Sequence, residues 1–189
     1  MNTLIVVAHP RPESLTFAVA HAFAQELERC DHRVEWADLV RERFDPVLMP
    51  PDEPDWGNPD KAYSEAVQRE MHRIERNSAT VMVFPIWWWS LPAILKGWID
   101  RVWNHGWAYG TRTYPHRKVW MIGVAGVGKP TYEKGMYDQG LRNQLSSGIL
   151  EYCGVAEPHV ELLYGAIESP EQASAAVERA KAIGAQFSA

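Results

Sequence analysis

Apolar and polar positions along this chain of 189 residues follow two rhythms. Thr3–Ala8 and Ala79–Phe84 are apolar runs without polar alternation, as expected of strands covered on both faces. Leu15–Arg29 spaces its apolar residues three and four apart, which marks an amphipathic helix. Arg33–Asp38 alternates more and reads as a shorter strand. Residues 41–60 carry Pro46, Pro50, Pro51, Pro54 and Pro59 among four aspartates, the composition of a long irregular loop. Lys61–Asn77 reads as a polar helix, and Pro92–Trp103 as a helix whose proline suits the first turn. The variable stretch His105–His116 precedes a strand, Lys118–Val124. A loop then runs to about Lys134, followed by a helix to about Tyr152, a strand at Val155–Leu163 and a closing helix from Pro170.

The order is therefore βαβαβαβαβα, and alternating βα units imply a doubly wound parallel sheet with helices on both faces. Five strands favour the flavodoxin-like order 2-1-3-4-5 over the six-stranded dinucleotide-binding order. One α/β domain spanning residues 1–189 is expected. In that order the sheet's switch point lies between the first and third strands. It is lined by the loops after strand one (His9–Phe17), strand three (Pro85–Leu91) and strand four (Ala125–Lys134).

Composition narrows the class. A hydrophobic content of 46% fits one domain with a full core, and a net charge of −5 argues against nucleic acid as a partner. No apolar run approaches membrane-spanning length. Met1–His9 lacks the basic start and cleavage site of a signal peptide. Cys30 and Cys153, both read within helices, are isolated thiols that suit a reducing compartment and small core positions. A soluble cytoplasmic domain follows. The seven histidines form no metal spacing, so no metal is expected; His72, His116 and His159 read as solvated. Lys96, Asp100 and Arg101 read as a surface ion pair, Glu65 to Arg76 as a solvated helix face, and Trp98 as core or dimer contact. Gly123 to Lys129 matches the front of a phosphate-binding loop. Pro130 offers no hydroxyl for Mg²⁺ and no helix is expected directly after it, so nucleotide hydrolysis is set aside.

The candidate chemistry sits in the three edge loops. Trp87, Trp88 and Trp89 directly follow a buried strand, where strand alternation would bury only every second side chain. Their indoles offer flat apolar faces suited to a planar aromatic cofactor. The first loop lacks the Gly-x-Gly-x-x-Gly spacing of a nicotinamide-binding Rossmann domain. It holds His9, Ser14 and Thr16 at a helix start, a workable phosphate site, although Ser14 is equally explained as a plain N-cap.

These residues carry a resemblance. Ala8-His-Pro-x-x-x-Ser-x-Thr16, Phe84-Pro-x-x-Trp-Trp-Ser-x-Pro-Ala-Ile-Leu-Lys-Gly-Trp-Ile-Asp-Arg-Val102 and His105-Gly-Trp-Ala-Tyr-Gly110 resemble the flavodoxin-like NAD(P)H:quinone oxidoreductases. That family includes DT-diaphorase and small bacterial quinone reductases that accompany potassium efflux systems. The similarity extends from residue 3 to about residue 163. It implies a flavin whose phosphate region lies on His9, Ser14, Thr16 and Phe17, and whose ring lies on Pro85, Ile86, Trp87, Trp88 and Trp89. Trp107, Ala108 and Tyr109 match the nicotinamide and quinone pocket, which in relatives reaches a dimer interface. Where the family commonly has Thr-Thr-Gly-Gly after strand four, this chain has Gly123-Val124-Ala125-Gly126-Val127-Gly128. Ala125 and Gly126 still permit close backbone approach, without the hydroxyls.

Tyr132 falls on the family's active-site tyrosine, and Tyr109 is the second catalytic candidate. The neighbouring histidine of DT-diaphorase has no counterpart, which leaves Tyr132 or Tyr137 to supply the proton. Contacts for the adenosine half of FAD are not evident near Glu168–Ala176, so FMN is favoured over FAD. The resemblance thus implies two-electron, ping-pong hydride transfer from NADH or NADPH to a quinone, or to azo or nitro compounds, by a homodimer. Two other roles stand beside it: a flavodoxin-type electron carrier, and a regulatory subunit partnering a potassium efflux transporter.

Overall fold

In a computed structural model, which describes residues 1–188, the five strands form one parallel sheet in the order 2-1-3-4-5. They are β1 Asn2–Val7, β2 Arg33–Asp38, β3 Ala79–Ile86, β4 Lys118–Ala125 and β5 Glu157–Leu163. Every residue of the central β3 is buried, because helices cover both faces of the sheet. Alternation along β1 divides its side chains. Ile5 and Val7 face a core with Phe23, Leu27 and Ile183, whereas Leu4 and Val6 face one with Trp98, Leu95 and Leu150. On the first face α1 (Leu15–Arg29) lies against α6 (Pro170–Ser188), where Gly184 admits the close approach of Phe23 and Glu26. The second face carries α2 (Glu65–Glu75) and α3 (Ala93–Val102). After β4 come α4 (Lys129–Lys134), α5 (Tyr137–Arg142) and a π-helical stretch, Asn143–Glu151.

Several expectations change in detail. Residues 61–64 precede α2, which starts at Glu65 with Ser64 as its N-cap. Pro92 is the N-cap of α3 and lies outside the helix. The loop expected up to about Lys134 instead contains α4, and the helix expected up to Tyr152 starts at Tyr137, after Met136 at φ 54°, and becomes π-helical from Asn143. Cys30 caps the C-terminus of α1 and is exposed, unlike the buried Cys153. Ala189 lies outside the described residues. Among those described, no helix is long and apolar enough to cross a membrane.

Two buried polar groups that read as surface features from the sequence are tertiary pins. Arg101 sits at the end of α3 with its side chain only 8% exposed, and its guanidinium reaches Asp52 at 2.7 Å. It also donates to the Asp45 carbonyl. Asp52 further accepts from the Ser64 N–H at 2.9 Å and hydroxyl at 3.0 Å. The proline-rich stretch is thereby strapped to α2 and α3, with Pro46 resting where a Cβ on Gly97 would clash. His116 is buried at 3% exposure. Its Nδ1 is 2.8 Å from the Thr80 hydroxyl, and its Nε2 faces the carbonyls of Ile74 and Asn77 at 2.9 and 2.8 Å.

Burial lowers the pKa of His116, with the two carbonyl contacts acting the other way. The folded ring therefore holds a proton less tightly than the unfolded chain, and unfolding takes one up below about pH 6.5. Stability should be full above that value and decline as pH falls, by up to about 1.4 kcal/mol per unit for one proton. His116→Gln should flatten the slope of denaturant-derived stability between pH 5 and about 6.5; parallel curves for both chains would contradict this assignment.

Candidate active site

Parallel strands end on one edge, so β1, β3 and β4 deliver their following loops side by side. The register pairs Val7 with Val83 and Ile86 with Ala125. Beyond β3 the chain reverses within two residues. Trp87 and Ser90 exchange both backbone hydrogen bonds, at 3.1 and 3.2 Å. The residues between them, Trp88 and Trp89, have φ of 49° and 56°. Positive φ at both central positions is the habit of mirror-image hairpin turns, which normally take Asn-Gly. Two tryptophans here cost roughly 1–2 kcal/mol each in backbone energy. The turn throws the indoles outward: Trp88 is 93% exposed, Trp87 46%, and Trp89 is half-buried.

A notch of about 210 Å³ opens beside this turn, lined by Ile86, Trp88, Trp89, Gly126, Val127 and Tyr132. Ile86, Ala125 and Gly126 meet where β3 and β4 end. Trp89 is met edge-on by Tyr132 (centroids 5.0 Å apart, 79°) and face-on by Tyr137 (3.8 Å, 11°). Burial, then the neighbouring Tyr164, push the Tyr132 pKa up to about 12, so its hydroxyl is protonated at neutral pH.

The loop after β1 borders the same edge, with the His9 ring 5.9 Å from Trp87. His9 Nδ1 lies 3.0 Å from the Arg11 N–H and 3.1 Å from the Arg11 carbonyl, so the loop's own backbone holds the ring in place. Partial burial is the main cause lowering the His9 pKa and favours the neutral ring. Ser14 caps α1, its hydroxyl accepting from the Phe17 N–H at 3.4 Å. Thr16 and Phe17 are buried beneath it in the first turn.

Trp107, Ala108 and Tyr109 lie elsewhere. Ala108 is fully buried, and Trp107 is core, its Nε1 donating to Glu75 at 2.8 Å. Tyr109 stacks loosely with Trp56 and Tyr152 (5.8 and 5.7 Å) and lines a separate cavity of about 360 Å³ with Leu48, Trp103 and Ile149. One chain therefore does not join this segment to the tryptophan notch.

The phosphate-loop look-alike is corrected in one respect: α4 does begin directly, at Lys129, with Gly128 as its N-cap. The Glu168 carboxylate fills that helix start, accepting from the Gly128 N–H at 2.6 Å. Sequence reasoning also missed the Tyr137–Trp89 stack and the buried His116. The stack joins the turn after β3 to the first residue of α5, a long-range pairing that local sequence does not reveal. The signal for His116 was the β-branched Thr80 within an otherwise apolar strand, a hydroxyl needing a buried partner.

An α/β sheet in this order, with an aromatic notch over its carboxyl edge, defines a flavodoxin-like protein. The chain belongs to the family described as flavodoxin-like fold, whose profile matches residues 1–186. It is similar to the uncharacterized NAD(P)H oxidoreductase YcaK of Escherichia coli, at 39% identity over 84% of this chain and 81% of that one. It is also similar to NAD(P)H dehydrogenase (quinone) 1 of Cavia porcellus, at 28% identity over 89% of this chain and 70% of that one. Among solved structures, the NAD(P)H:quinone oxidoreductase from Methanothermobacter marburgensis superposes with a TM-score of 0.92 at 28% identity, covering 99% and 96% of the two chains. The chain is an oxidoreductase enzyme.

Glu168→Ala should remove an N-cap interaction and lower stability by roughly 1 kcal/mol in thermal or denaturant unfolding. No nucleoside triphosphate binding should appear by calorimetry. Binding gained in that variant would contradict the view that this helix start has only a structural role.

Proposed function

We infer that this protein is an NAD(P)H-dependent flavoenzyme that reduces quinones by two electrons. The observation that carries the reading is the notch whose tryptophan wall is held open by a strained turn. Its residues fit a flavin. Trp88 is a bare indole face, and Gly126 is a backbone cradle where an added Cβ would meet only Ile167, at 3.4 Å. The resemblance, and relatives whose names specify NAD(P)H and quinone, support the same reading.

The α1 start would hold the phosphate with the His9 ring, Ser14 and Thr16, in the favourable field of a helix N-terminus. Pro85 to Trp89, Ala125 and Gly126 would hold the ring. FMN is the form that fits this set, which includes nothing assigned to an adenosine. Bound there, the flavin supplies hydride acceptance from a nicotinamide and hydride donation to the acceptor. The chain's own part is orientation and exclusion of water by apolar walls. Tyr132 keeps a proton at its hydroxyl beside the notch, available to the reduced acceptor. A single notch serving both substrates in turn supports ping-pong kinetics. A homodimer would bring Tyr109 of a second copy toward the notch, since the segment lies apart from it within one chain.

The purified protein should be yellow, bleach with NADPH or NADH and recover its absorbance with a quinone. A yellow protein that neither nucleotide bleaches would instead be an electron carrier, and a chain that takes up neither FMN nor FAD would overturn the reading. Gly126→Ala is a sharper probe, because the apo fold has room for the methyl group. Its unfolding temperature should stay within about 1–2 °C of the parent while FMN affinity falls about tenfold or more. Unchanged affinity would remove Gly126 from the site.

A further inference from the structure

Tyr137 lies flat on Trp89, with ring centroids 3.8 Å apart and planes 11° from parallel. Two electron-rich rings placed this way set like quadrupoles face to face. Aromatic pairs instead favour offset or edge-on contacts with centroids about 4.5–7 Å apart. The stack is also lightly held. Tyr137 is 36% exposed, and its hydroxyl makes no hydrogen bond among the described residues, in contrast to Tyr63 and Tyr114.

The ring hangs from a corner built to turn. Met136 has φ 54°, a left-handed conformation that a methionine adopts at a cost. Gly135 precedes it with ordinary right-handed backbone (φ −92°, ψ 0°), so its lack of a side chain has a different cause. A Cβ at position 135 would clash with the Tyr137 ring where it now rests.

An electron-poor planar ring, such as a quinone, reverses the sign of the quadrupole and matches the indole face far better than a phenol does. We propose that Tyr137 is a displaceable ring that holds the place of an electron-poor planar substrate on Trp89, and that the Gly135–Tyr137 corner swings out to admit it. The tyrosine then acts as a specificity filter for the acceptor: an acceptor ring that stacks on indole no better than phenol does not displace it. This rests on the oxidoreductase reading above and names the chemistry of the acceptor that would lie on Trp89, a wall of its notch.

The test is calorimetric titration of the flavin-loaded full chain, without NAD(P)H, using 1,4-naphthoquinone and the electron-rich 1,4-dimethoxynaphthalene. Tyr137→Ala removes the ring. Gly135→Ala expels it while keeping the phenol and a permitted backbone, and Tyr137→Phe keeps the ring without its hydroxyl. The first two variants should bind the quinone about three- to tenfold more tightly than the parent, with Tyr137→Phe within about twofold of it. The dimethoxy compound should bind the parent more weakly than the quinone does. Quinone affinity that is unchanged or reduced in both Tyr137→Ala and Gly135→Ala overturns the proposal and leaves the flavin reading intact. A parent chain that takes up no flavin overturns both.

Discussion

The structure turns on how the chain leaves its most buried strand. β3 is covered along its whole length, so its last residues must reverse at the sheet edge before α3 can start. The reversal uses two residues at positive φ, and both are tryptophans. Nothing in folding alone favours that choice, since glycine or asparagine makes the same turn at little cost. The surroundings over-determine it: the paired hydrogen bonds of Trp87 and Ser90 close the turn, and Tyr132 and Tyr137 enclose Trp89. Strain of this sort persists where a side chain must point somewhere for a reason other than stability. Here it projects Trp88 into solvent next to the glycine-lined end of β4.

A second constraint works on the opposite flank. The long loop after β2 would wander were it not pinned by the buried Asp52–Arg101 pair and by Pro46 against Gly97. Burial raises the Asp52 pKa, but hydrogen bonds from Arg101 and Ser64 outweigh it and hold the carboxyl below its usual range. That strap carries Trp56 to the rings of His105 and Tyr109. The aromatic segment beyond α3 is therefore given a fixed shape at a distance from the notch.

The strands, their order and the three edge loops were legible because apolar runs and βα alternation are properties of local sequence. The middle tryptophan block was legible for the same reason, being too apolar for an exposed loop with no purpose. What stayed hidden depends on long-range pairing. Arg101 follows Lys96 and Asp100 on a helix, and its spacing suggested a surface pair. Lys96 and Asp100 do form one, at 2.5 Å, whereas Arg101 finds a partner 49 residues away. His116 looked like a loop histidine, because nothing adjacent in sequence announces that Thr80 and two carbonyls converge on it. The short α4 and the left-handed turn at Met136 were not legible, since Pro130 sits beside glycines that read as loop and methionine, a good helix former, carries no signal for a positive φ.

The central claim is that the strained tryptophan turn is retained to wall a flavin, at a cost to the stability of the unliganded chain. The most direct test is thermal unfolding of the parent and Trp88→Gly chains, each with and without saturating FMN. Without FMN the glycine chain should unfold higher by about 2–4 °C, because its turn is relaxed and the lost indole was solvent-exposed. With FMN the order should reverse, since a ligand stabilises in proportion to its affinity for the native state. Equal FMN-induced shifts in both chains, or a lower unfolding temperature for the unliganded glycine chain, would contradict the account.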